Sequence, residues 1–82
     1  MPKRDRQLER IRRATTDVRP EELRIVLGRY GFELRSVHGS HWIYKHPGLA
    51  RRLAIPYRRP LKPIYVQQAI NAIDEVLENE DA

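Results

Sequence analysis

Apolar side chains along this chain recur first at helical spacing, then at every second position, then at helical spacing again. Residues 3–14 have helical composition, with Leu8 and Ile11 three apart on one face. That stripe is thin, so the helix depends on docking to the rest of the chain. Thr15, Thr16 and Asp17 end it and offer turn or capping groups. Pro20 suits the first position of a second helix, where its missing N–H costs nothing. Glu21 and Glu22 follow in the first turn, where the helix dipole favours acids. Leu23, Val26, Leu27 and Tyr30 mark the face this helix buries. Gly31 is the expected stop, with Phe32 folding back as an apolar clamp.

From Phe32 the period is two. The run Phe32–Val37 sends Phe32, Leu34 and Ser36 one way and Glu33, Arg35 and Val37 the other. Gly39-Ser40-His41 then reads as a hairpin turn, because glycine permits a backbone conformation that other residues avoid. In the next strand, Trp42–Lys45 with His41 at its head, His41, Ile43 and Lys45 share one face; Trp42, Tyr44 and His46 take the opposite one. Pro47-Gly48 marks a second turn, and Leu53, Ala54 and Ile55 form a third strand ended by Pro56. Short connections imply an antiparallel meander. A loop from Pro56 to Pro63 leads into a last helix whose stripe is Val66, Ala69, Ile70, Ile73 and Leu77, widened by Val76. Asn79 to Ala82 is expected to be a frayed acidic end. A three-stranded sheet needs one face covered, and two helices do it. The expected class is α+β, the α-β-β-β-α arrangement of the double-stranded-RNA-binding fold with an extra N-terminal helix. One domain spans residues 1–82, with 3–14 as the extension and 18–77 as the core.

Composition narrows the partners. The chain has 82 residues, no cysteine and a net charge of +5, so a disulfide framework and a zinc thiolate site are excluded. Its three histidines and scattered carboxylates form no recognisable metal motif, and no cofactor is expected. No apolar stretch approaches membrane-spanning length, and the charged start, Met1 to Arg13, lacks the apolar core of a signal peptide. The expectation is a soluble cytoplasmic protein with no membrane partner. Residues 47–65 hold five basic and no acidic side chains, whereas residues 66–82 hold five acidic and no basic ones. The basic segment attracts a phosphate backbone and the last helix repels it, so RNA is expected on the sheet-edge and loop side, away from residues 74–82. A histidine fixed at a hairpin beside that segment takes and gives protons near neutral pH. The combination points to an enzyme or binder acting on a phosphate polyanion.

One run, Glu22-Leu23-x-x-x-Leu27-x-x-x-Gly31-Phe32 followed by Gly39-Ser40-His41, resembles the HicA family of toxins. So do Tyr44-Lys45-His46-Pro47-Gly48, the strand end Leu53-Ala54-Ile55-Pro56, and Leu61-Lys62-Pro63 opening the final helix. The resemblance covers roughly residues 18–77. It implies an mRNA interferase of a type II toxin–antitoxin pair, held inactive by a HicB-like antitoxin that covers the active site. It also implies that His41 is the catalytic histidine. This chain departs from the pattern at two places. Trp42 stands where many members have a second histidine, and Tyr57-Arg58 stand where many have a histidine after the third-strand proline.

Metal-independent RNA cleavage needs a base for the 2′-hydroxyl, an acid for the leaving 5′-oxygen, and cations for the phosphorane. His41 supplies the base or the acid. Lys45, on the same face, is the nearest cation in sequence; Arg58, Arg59 and Lys62 are further candidates from the loop after the third strand. The expected product end is a 2′,3′-cyclic phosphate. For Arg51 and Arg52, a phosphate contact and a plain solvated loop both stay open. Ser40 is read as a turn residue at the RNA-binding surface whose hydroxyl orders the backbone, since no Ser-His-Asp arrangement is visible. His38 and His46 are read as structural or solvent-facing. Tyr44 is assigned to packing, while Trp42 is left between packing, base stacking and an antitoxin contact.

Overall fold

The computed structural model describes residues 5–81, so residues 3 and 4 of the expected first helix lie outside the described residues. The elements are α1 (Arg6–Arg13), α2 (Pro20–Arg29), β1 (Glu33–His38), β2 (His41–Lys45), β3 (Leu53–Pro56) and α3 (Pro63–Asp81). This is an α+β fold with an open three-stranded antiparallel sheet in the order β1-β2-β3. It accommodates the expected α-β-β-β-α layout with a helix in front.

Each boundary has a local cause. Asp5 caps α1 by accepting a hydrogen bond from the Leu8 N–H at 3.0 Å. Pro20 opens α2. That helix ends in a Schellman motif: the Gly31 N–H donates to the Gly28 carbonyl and the Phe32 N–H to the Leu27 carbonyl, both at 3.1 Å. Gly31 there has φ +89°, the left-handed region that favours glycine. The acidic end is not frayed before residue 82. α3 continues through Asp81, because its last turns follow an anchored stretch containing Ile73 and Val76, and the Asn79 amide donates to the Gly48 carbonyl at 3.0 Å. Ala82 lies outside the described residues.

The pairing register decides what each sheet face carries. Tyr44 opposes Leu34 on one side and Leu53 on the other, and Trp42 opposes Val37 and Ile55. Directly paired residues share a face, so these six form the helix-side face. One correction concerns β1. A bulge between Leu34 and Ser36 leaves Arg35 without a partner, so the strict alternation fails there. Ser36, expected on the Leu34 face, passes to the opposite one, and Val37 passes to the Leu34 face. The core joins the inner sheet residues to Leu23, Val26 and Leu27 of α2 and to Val66, Ala69, Ile70, Ile73 and Val76 of α3. Leu8 and Ile11 of α1 complete it, together with Val18, Leu49 and Leu61 from connecting segments. A fully buried aliphatic side chain of this kind contributes roughly 1.5–3 kcal/mol. No helix among the described residues is long and apolar enough to cross a membrane.

Candidate active site on the outer sheet face

With both helices packed on one side, the other side of the sheet is open. It carries Glu33 and Lys45, then Ser36, Ile43 and Ala54, then His38 and His41 with Pro56. His41, Lys45 and Ala54 are exposed, and Ile43 is half-buried. His41, Ile43 and Lys45 therefore share a face, as strand alternation predicts.

The turn that presents His41 is the two-residue loop Gly39-Ser40. Gly39 has φ +60° and Ser40 has no positive φ, the pattern of a type II′ turn with glycine first. The turn is tied down from the far strand, because the Tyr57 N–H donates to the Ser40 carbonyl. Pro56 opposes His41 across β2 and β3, so the segment after β3 runs beside the hairpin. The His41 imidazole is exposed and has no hydrogen-bond or ion-pair partner among the described residues. It is held by its backbone and left open at its ring.

The candidate cations fall into two groups. Lys45 lies four residues along β2 from His41, a separation of roughly 13 Å at the rise of a strand. The two side chains therefore start well apart on one face rather than side by side. Arg52 immediately precedes β3, level with Lys45. Arg51 is also at this end, where its guanidinium pairs with Glu75 at 2.8 Å. Glu33, Arg35, Lys45, His46 and Arg51 help line a shallow cleft of about 470 Å³ there. At the His41 end, Arg58 follows Tyr57, exposed and without a partner among the described residues. Arg59 is occupied: it donates to Glu21 at 2.7 Å and to the Tyr57 hydroxyl at 2.9 Å. Lys62 is exposed beside the start of α3, where its carbonyl accepts from the Tyr65 N–H at 3.0 Å. Among the described residues no group of three or more His, Asp or Glu side chains is placed to hold a metal ion.

Trp42 and Tyr57, at the two departures from the family pattern, are both turned to packing. Their rings lie 4.8 Å apart, and the Arg24 guanidinium sits 5.8 Å from the Trp42 ring centroid. The Tyr57 hydroxyl donates to Glu21 at 2.6 Å. That bond, with Arg59 adding to it, outweighs the opposing effect of desolvation and holds the Glu21 carboxyl below its ordinary value. Tyr44 is buried in the core, which pushes its phenol up to about 12, with Arg24 acting weakly the other way.

Of the two readings open for His46, structural or solvent-facing, the contacts are those of the structural one. Its Nε2 lies 2.9 Å from the Tyr30 carbonyl, and its Nδ1 accepts from the Gly48 N–H at 2.8 Å. Those two partners fit one neutral tautomer, with the proton on Nε2. Phe32 packs against the ring at 4.8 Å. His38 is different. It is exposed and directly opposes His41 across the turn. Sequence reasoning assigned it no role in the site, yet the signal was present, since a two-residue loop makes residues three apart cross-strand partners. Arg24 and Glu21 were also missed, because only the fold brings α2 to the end of β3. No protein-family model, no curated protein and no solved structure matches this chain.

Proposed function

We propose that this chain is a HicA-like ribonuclease toxin with a double-stranded-RNA-binding-like fold, cutting mRNA on its outer sheet face and neutralised by a HicB-like antitoxin that occupies the same face. The observation that carries the reading is His41: an exposed imidazole, unpartnered among the described residues, on a hairpin fixed by glycine and by the Tyr57–Ser40 bond. A rigid backbone with a free ring is what proton transfer to a bound polymer requires. The open face accepts an extended strand, with Arg58 at the histidine end and Lys45 and Arg52 at the other.

In the reaction, a base removes the 2′-hydroxyl proton, the 2′-oxygen bonds to phosphorus, and the bond to the 5′-oxygen breaks as an acid protonates it. His41 serves as one of these two groups. Arg58, next in the chain to Tyr57, is the cation assigned to offset charge on the phosphorane. The products are a 2′,3′-cyclic phosphate and a 5′-hydroxyl.

A second reading, a non-catalytic RNA-binding module, is favoured by one observation: Lys45, the cation sharing His41's strand face, stands at the far end of β2 rather than beside the histidine. The test is incubation of a long single-stranded RNA with purified protein in EDTA, wild type beside His41→Ala. Cutting by the wild type alone supports the toxin reading. Binding by both without cutting supports the module. Growth arrest on expression, relieved by a co-expressed antitoxin, would add the in vivo arm.

A further inference from the structure

The proton-transfer chemistry just described needs two groups, and this chain brings two histidines together. His38 ends β1, His41 begins β2, and they are direct partners across Gly39-Ser40. Directly opposed residues project from the same face with Cβ atoms roughly 4.5–5.5 Å apart. Both side chains are exposed, and neither has a hydrogen bond or ion pair among the described residues. The other charged groups of that face are remote: Lys45 and Glu33 are register partners at the opposite end of β1 and β2, where Arg35 pairs with the Glu33 carboxylate at 3.1 Å. Arg58, in the segment following Pro56, is the charge next in the chain beyond His41's partner strand. Gly39 supplies the positive φ of the turn, and the Tyr57 N–H, just after β3, ties it through the Ser40 carbonyl. The backbone spacing of the two imidazoles is therefore fixed while their rings remain free to rotate onto a ligand.

We infer that His38 is a second catalytic residue, and that His38 and His41 straddle one phosphodiester as an acid–base pair; this rests on the ribonuclease reading above. One imidazole, neutral, takes the 2′-hydroxyl proton as the oxygen–phosphorus bond forms. The other, protonated, gives its proton to the 5′-oxygen as that bond breaks. The pair ends with its protonation states exchanged, and transfer of one proton through water restores it. No metal, oxidant or further reactant is consumed. Each ring nitrogen must come within about 2.6–3.2 Å of its oxygen. Two side chains rooted on neighbouring strands, splayed about a phosphate between them, have the freedom to do so. A single histidine has to serve both roles or borrow a water. The same pair, when both rings are protonated, offers two N–H donors to a phosphate.

The test combines kinetics with imidazole NMR. Cleavage of an oligoribonucleotide is measured for wild type, His38→Gln and His41→Gln, and affinity is measured with the uncleavable 2′-deoxy oligonucleotide. In parallel, the imidazole resonances of the wild type are followed during titration with uridine 3′-monophosphate. The expected result is a fall in kcat of about 10²–10⁴-fold for each single variant. Affinity for the deoxy oligonucleotide stays within a few fold, and the His38 and His41 resonances both move with the nucleotide while those of His46 do not. If His41→Gln is inactive but His38→Gln cuts like the wild type, the role of His38 is overturned and the ribonuclease reading stands. If the wild type fails to cut, the ribonuclease reading falls, and this role for His38 falls with it.

Discussion

Gly31→Ala tests the corner on which the outer face is hung. Gly31 has φ +89°, and a Cβ there would lie 2.9 Å from His46 Nε2. Holding a non-glycine residue in the left-handed region costs roughly 1–2 kcal/mol. The His46 ring has little room to retreat, because Tyr30, Gly48 and Phe32 hold it on three sides. Moving it weakens the Tyr30 bond, a further loss of roughly 0.5–1.5 kcal/mol. The substitution should therefore destabilise by roughly 2–3 kcal/mol, which for a chain of this size lowers Tm by about 10–20 °C. A domain of this length has only roughly 4–12 kcal/mol in total. Urea unfolding of wild type, Gly31→Ala, His46→Ala and the double variant closes a mutant cycle. With His46 removed, Gly31→Ala should cost only the backbone part, leaving a coupling of about 1 kcal/mol. A loss below about 0.5 kcal/mol for Gly31→Ala, a value typical of inconsequential surface changes, would refute the reasoning.

Asp5 gives a pH-dependent prediction. Burial pulls its carboxyl upward, but the Leu8 N–H, the Tyr30 hydroxyl and Arg29 outweigh that and hold it below its ordinary value of 3.8. A lowered folded value means stability that is present above 3.8 and lost as pH falls through the folded value. Asp5→Ala should cost about 0.5–2 kcal/mol near neutral pH, and urea midpoints should show the gap to wild type narrowing toward pH 2–3; a gap that widens in acid contradicts this. For RNA affinity, Arg58→Ala and Lys45→Ala should each flatten the logarithmic salt dependence by about 0.7, the value per single-strand phosphate contact. Arg51→Ala and Arg59→Ala should flatten it less, because Glu75 and Glu21 already neutralise those guanidiniums. Equal effects from all four, measured by fluorescence anisotropy, would contradict that division.

The elements were legible because each follows a local rule. Pro20, Gly31 and Pro63 punctuate helices whose apolar stripes are periodic, and the alternation of β2 places His41, Ile43 and Lys45 together without any tertiary information. What escaped was set by contacts distant in sequence. Val18, Leu49 and Leu61 are buried although they sit in connecting segments with no period to read; Leu61 is tied in when its N–H donates to the Val18 carbonyl at 2.8 Å. The bulge at Arg35 leaves no mark in the pattern of β1, since both registers keep Leu34 inward. Helix continuation through Asp81 depends on Gly48 reaching Asn79. In the site, the fold sets what lies around two of the candidate cations, Lys45 and Arg59. Strand rise carries the first away from His41, and Glu21, from a helix far back in the chain, engages the second. His38 stands outside the Gly-Ser-His motif, and only pairing across the turn joins it to His41.

The central claim is that the outer sheet face cleaves RNA through His41. Its most direct test is the chemistry of the cut ends, read on an oligonucleotide that is 2′-deoxy throughout except for one ribonucleotide. The account predicts a single cut after that ribonucleotide in EDTA, with a 2′,3′-cyclic phosphate on one fragment and a 5′-hydroxyl on the other, and no cut by His41→Ala. Fragments with 5′-phosphate ends, or equal cutting by His41→Ala, would contradict it.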